Sequence, residues 1–160
     1  MIFVTVGTQG PFDRLIMAMD ELALSIPHIP IVAQIAESSY TVRNMKNFRF
    51  INAVEMEHYF NTADLIVSHA GMGTIISAFE RKKPIIIFPK LAKFGEHRND
   101  HQLATAKRLE SLNYLHAAYD LPTLKEKVTC ALGGGLNPLH KVGKYASAEL
   151  LNSLQSFLSV

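Results

Sequence analysis

The stretch "ADLIVSHAGMGTIISAFERKKPIIIFPK", Ala63 to Lys90, sets two unbroken apolar runs on either side of a helical pattern. LIVS and IIIF do not alternate with polar residues. Each therefore reads as a strand buried on both faces, as strands of a helix-covered parallel sheet are. Between them a turn rich in glycine opens GTIISAFERKK, a helix that Pro84 closes. A strand, a crossover helix and a second strand form the unit from which parallel sheets are built.

Outward from this unit the same alternation continues. IFVTV (2–6) is a strand ended by the Gly7–Pro11 turn, and the helix after it spaces Phe12, Leu15, Ile16, Met19 and Leu22 at helical intervals. IPIVAQIA (29–36) and FRFINAV (48–54) read as two more strands, and EMEHYFNTA (55–63) as a short helix. After Lys90, RNDHQLATAKRLESLN (98–113) is an amphipathic helix with Leu103, Ala106 and Leu109 inward. YLHAA (114–118) is a short edge strand and LPTLKEKVTCAL (121–132) another helix. The expected fold is α/β, a Rossmann-like parallel sheet sandwiched by helices. GGGLNP (133–138) breaks the pattern, and a terminal helix is expected over 139–158. The organisation is thus one domain over 1–132, then a linker and carboxyl-terminal helix (133–160) that packs on the domain or on a partner.

At 160 residues, 48% hydrophobic and 19% charged, the chain suits one globular core, and a net charge of +2 gives no reason to expect nucleic acid. Cys130 is the single cysteine, which excludes an intrachain disulfide and a cysteine-based metal site and fits a reducing, cytoplasmic compartment. The opening MIFVTVGTQG lacks a basic leader region, and no stretch approaches the roughly 20 apolar residues of a spanning helix. Contact with a membrane is therefore expected to be peripheral, at its inner face through a partner. Residues 81–98 hold Arg81, Lys82, Lys83, Lys90, Lys93 and Arg98 against one acid, Glu96. Such a run is a solvated face or an attractor of phosphates or anionic lipid.

Ligands of open parallel sheets bind beyond the carboxyl ends of the strands, and three loops there carry the candidate chemistry. Gly7, Thr8 and Gln9 end the first strand, and backbone N–H groups at such a turn suit an anion. The spacing matches neither a dinucleotide fingerprint nor a P-loop. Ser68-His69-Ala70-Gly71-Met72-Gly73-Thr74 ends the fourth strand. The N–H groups at this helix start, with the Thr74 hydroxyl as cap, could hold a diphosphate, with His69 at its edge. The third loop, FGEHRNDHQ, gathers Glu96, His97, Asn99, Asp100, His101 and Gln102, which suit the hydroxyls of a sugar. His97 and His101 stand four apart, as some zinc ligands do, but H-E-x-x-H is missing and Arg98 lies between them, so no metal is expected.

The ordered motifs VTVGTQ…FDRL, ADLIVSHAGMGTI, KPIIIFPK and GEHRNDHQLATA resemble the carboxyl-terminal domain of family-28 glycosyltransferases over about residues 1–118. Nearest in organisation are the small stand-alone subunits, of the dolichol-linked GlcNAc transferase and of bacterial exopolysaccharide and capsule transferases that act as pairs. The resemblance implies one half of a GT-B enzyme, the half that binds the UDP-sugar. A membrane-associated partner subunit would hold the lipid-linked saccharide acceptor. It implies that Gly7, Thr8, Gln9, His69, Gly71, Met72, Gly73, Thr74 and Ser77 meet the nucleotide and diphosphate, and that Glu96, His97, Asn99, Asp100, His101 and Gln102 read the sugar. Related enzymes carry a ribose-gripping glutamate where this chain has Ser77, with Glu80 one turn on. The expected reaction is an inverting transfer with no cofactor or metal. His69 is the local candidate for general base, although the partner is expected to supply it. The alternative is a non-catalytic nucleotide-sugar-binding or enhancer subunit.

Overall fold

The computed structural model describes residues 1–140 together with Asn152, Gln155 and Ser156. The expected terminal helix over 139–158 lies almost wholly outside the described residues. Six strands, β1 (Ile2–Thr5), β2 (Ile31–Gln34), β3 (Lys46–Phe48), β4 (Leu65–Ser68), β5 (Ile85–Ile87) and β6 (His116–Ala117), form one sheet. The helices are α1 (Asp13–Ser25), α2 (Ala53–Thr62), α3 (Met72–Glu80), α4 (His101–Ser111) and α5 (Leu121–Leu132), with a 3₁₀ turn at Ala92–Phe94. The sheet order is β3-β2-β1-β4-β5-β6, and every pairing is parallel. This is the doubly wound Rossmann order, and it reverses direction between β1 and β4.

The period of two along each strand divides the core. Ile2, Val4, Leu65, Val67 and Ile86 face α1 and α5, where Leu15, Ile16, Met19, Leu124 and Val128 complete one cluster. Phe3, Ile66, Ile85 and Ile87 face the other way, onto Phe60, Ile75, Ala78 and Ala106. Unbroken apolar strands are thus explained by two covered faces.

One boundary differs from the sequence expectation. The third strand ends at Phe48, not Val54, because Asn52 accepts from the Glu55 N–H at 2.9 Å and the Glu55 carboxylate accepts from the Asn52 N–H at 3.1 Å. That reciprocal capping box starts α2 at Ala53. Helix α4 likewise starts at His101 rather than Arg98. Here Asp100 bonds back to the Ala92 N–H and Asn99 caps locally onto His101.

The basic run does not form a charged face. Lys83 donates to the Asn61 and Ala63 carbonyls at the end of α2, at 2.6 and 2.8 Å. Arg81 bonds the Ser77 carbonyl and lies within 4 Å of Glu57 and Glu80. Lys90 is buried, at 1% exposure. Helix ends and the core thus hold three of the six cations. Among the described residues, no helix is long and apolar enough to cross a membrane.

Candidate functional site

A cleft of about 590 Å³ opens at the carboxyl ends of β1 and β4, where the strand order reverses. It brings together Gly7, Thr8 and Gln9 from the first loop, and His69, Gly71, Gly73, Thr74 and Ser77 from the second. His97, His101 and Gln102 come from the third. Met72, Glu96, Asn99 and Asp100 are not part of its wall. Thr5, Val6, Gln34, Met56, Phe60 and Arg98 also line it. Among these, Gln34 had a sequence signal, being the polar end of an otherwise apolar strand. It accepts from the Thr5 hydroxyl and donates to the Gly7 and Arg49 carbonyls, which fixes the base of the first loop.

The first loop presents free donors. Gly7 and Gly10 have φ of 76° and 66°, a left-handed backbone that favours glycine. Among the described residues, the N–H groups of Thr8, Gln9 and Gly10 donate to no protein acceptor, whereas the Gln9 and Gly10 carbonyls are both engaged by Lys90. The second loop does the same by another route. Gly71 is the N-cap of α3, and no side chain caps the helix. The Thr74 hydroxyl therefore does not cap as expected: α3 begins at Met72, and Thr74 already lies within its first turn. Among the described residues the first-turn amides, at the positive end of the helix dipole, have no acceptor.

His69 stands between the two donor sets. A Cβ on Gly7 would lie 2.7 Å from its ring and one on Gly71 2.2 Å from its Nε2, whereas a Cβ on Gly73 would meet nothing within 4 Å. Gly7 and Gly71 therefore make room for an imidazole. Gly73 is the one with open space in front of it. The His69 Nδ1 lies 3.1 Å from the Ser68 hydroxyl, which donates to the Thr5 carbonyl. Burial, with the Lys90 cation next in importance, pushes the His69 pKa down to about 4. At neutral pH the ring is uncharged, and its capacity as a base is weak.

The third segment differs. Glu96 takes Arg14 in a two-pronged pair at 2.8 Å and accepts from the Leu91 N–H, and both partners of the pair are largely buried. Arg14 in turn stacks over Phe88 at 4.1 Å. The Gln102 Oε1 accepts from both the Ala70 and Lys90 N–H groups at 3.2 Å. His97 and His101 pack edge to face with ring centres 4.5 Å apart. His97 precedes α4, so the two share no helix, and its Nδ1 is buried with no hydrogen-bond partner among the described residues. Desolvation, followed by the nearby His101 ring and Arg98 guanidinium, lowers the His97 pKa.

Among the described residues no carboxylate lines the cleft. The wall offers free amides, imidazoles and the Arg98 guanidinium. Among the described residues no group of three or more His, Cys, Asp or Glu is placed to hold a metal ion. An anion with several oxygens, accepting from both loops, is the ligand this arrangement fits.

Known proteins resemble this chain in sequence and in fold. A family model described as glycosyltransferase family 28 C-terminal domain matches residues 1–152. The UDP-N-acetylglucosamine transferase subunit ALG13 of Eremothecium gossypii is 34% identical over 102 residues, covering 62% of this chain and 48% of that protein. The human protein of the same name is 31% identical over 124 residues, 71% of this chain and 10% of that one. The chain thus spans about half the length of the first relative and a tenth of the second. Among solved structures, an NMR structure of ALG13 superposes with a TM-score of 0.61 at 18% identity, covering 96% of this chain and 93% of that one. Acinetobacter baumannii MurG gives 0.58 at 20%, covering 81% and 40%. The structural likenesses establish the half-GT-B fold.

Proposed function

The chain belongs to the glycosyltransferase family 28 C-terminal domains, and on that premise we propose that it is the donor-binding subunit of a two-component UDP-sugar glycosyltransferase. The observation that carries the reading is a pair of amide runs that, among the described residues, find no protein acceptor and converge on His69 in a cleft those residues line without a carboxylate. A nucleoside diphosphate seats its phosphates against those amides, and its sugar lies toward His97, Arg98 and His101.

The transfer inverts the sugar. An acceptor hydroxyl oxygen forms a bond to the anomeric carbon while the bond from that carbon to the diphosphate oxygen breaks, and UDP leaves with the electron pair. Amides already aimed at the diphosphate stabilise the charge that develops on it, without reorganising during the reaction. The acceptor proton goes to a general base. A desolvated imidazole with a pKa of about 4 serves poorly in that role, so the base belongs to the acceptor-binding partner. The finer setting we infer from the motifs is a lipid-linked saccharide presented at the cytoplasmic face of a membrane, in exopolysaccharide or capsule synthesis. No cofactor enters this scheme.

Calorimetric titration of the purified chain tests the reading. UDP should bind saturably, UMP more weakly, and NAD not at all. A folded sample indifferent to UDP would overturn it. With UDP-sugar and a soluble acceptor the chain alone should turn nothing over, and transfer without a partner would end the two-component scheme.

A further inference from the structure

The three loops of the cleft are tied together by a residue that is absent from its wall. Lys90 follows β5, and its ammonium donates to the Gln9 carbonyl at 2.6 Å and the Gly10 carbonyl at 3.0 Å. Its own N–H donates at 3.2 Å to the Gln102 Oε1, the same oxygen that accepts from Ala70 beside His69. The side chain thus holds the first loop while the main chain holds the second and third. Two carboxylates act on Lys90 through space, Glu96 and, more weakly, Glu37, and Glu96 is itself engaged with Arg14 and the Leu91 N–H. In a planar trans peptide the C=O and the following N–H point opposite ways. Drawing the Gln9 carbonyl toward the buried ammonium therefore turns the Gly10 N–H away from the interior.

We propose that Lys90 is the positioning residue of the diphosphate loop: it holds the carbonyls of residues 9 and 10 inward, which turns the Gly10 N–H outward and fixes the loop that carries the Thr8 and Gln9 amides (Pro11 has no N–H), and it touches no ligand itself. Its charge, buried under the loop, adds a positive potential that water screens far less than at the surface. The assignment rests on the cleft being a diphosphate site.

The test compares Lys90→Met, which keeps the stem and removes the charge, with Lys90→Arg and wild type. Each is titrated with UDP and with uridine, which lacks the diphosphate. The methionine variant should lose about tenfold or more in UDP affinity, as removal of a charged hydrogen-bonding group does, with uridine affinity unchanged within about twofold. Arginine should recover part of the UDP affinity. A purely structural role would weaken both ligands together. A methionine variant that binds UDP like wild type would overturn the proposal. Should wild type fail to distinguish UDP from uridine, the diphosphate reading falls, and this assignment with it. A second measurement needs no variant. The buried ammonium should give a slowly exchanging NMR signal in 15N-labelled wild type that shifts with UDP and not with uridine. A signal unmoved by UDP would also overturn the proposal.

Discussion

The glycine loops and the segment from Phe94 to Gln102 border one cleft yet treat their polar groups in opposite ways. The loops have few polar side chains, and their donors stay free: Thr8, Gln9, Gly10 and the first turn of α3 have amides with no protein acceptor among the described residues. The polar segment is dense with side chains that are mostly bound to the protein. Glu96 holds Arg14, Asp100 holds the Ala92 N–H, Asn99 holds His101, and Gln102 bridges two amides. Availability for a ligand follows from what is left unpaired, and polar density in the sequence does not measure it.

The widest break in this comparison comes from Gly71→Ala set against Gly73→Ala. The first places a Cβ 2.2 Å from the His69 Nε2 and drives the ring into the cleft. UDP affinity should fall at least about a hundredfold in calorimetry, while the second variant, facing open space, changes it less than about threefold. Equal losses would show that room for His69 is not what Gly71 provides.

On the other side, Glu96→Gln removes a carboxylate from a largely buried pair. It should cost about 3 kcal/mol in denaturant unfolding, the lower end for breaking such pairs, and leave UDP affinity within about twofold. A stable variant with weakened sugar-nucleotide binding would return Glu96 to the site.

The pH profile sharpens the account of His69. Its folded pKa, near 4, lies below the unfolded value of 6.5, so the unfolded chain takes up a proton that the folded chain refuses. The contribution is complete above pH 6.5 and is lost as pH falls toward 4, about 2 kcal/mol at pH 5. His97 and His116, also lowered, act in the same direction. His69→Gln should flatten the slope between pH 7 and 5, and an unchanged slope would mean that the ring is not buried neutral. Smallest of all, Asn99→Ala, at an exposed loop position, should shift stability by less than about 0.5 kcal/mol.

Strands and helices were legible because a sheet covered on both faces writes itself as unbroken apolar runs. The shifted start of α2 was legible too, had Asn52 and Glu55 been weighed as a capping box against the apolar FRFINAV. The position of the cleft followed from the loops at the ends of β1 and β4. What sequence could not show was long-range pairing. Lys90 reads as one more cation in a basic run, and its partners Gln9 and Gly10 lie about eighty positions earlier. Glu96 likewise reads as a sugar ligand until Arg14, equally distant, is placed beside it. The two glycines around His69 signalled close approach of something. That the something is the histidine ring itself is a fact of packing.

Because the cleft straddles the seam between β1 and β4, its two donor sets come from opposite halves of the sheet, joined in register Thr5 to Ser68. Neither half carries a site. Loop closure across some sixty residues must precede any binding, and such non-local pairing is a slow step of folding. On the proposed function, nucleotide binding should therefore be a late event for this chain, and appearance of UDP affinity during refolding would time the moment at which the central strands meet.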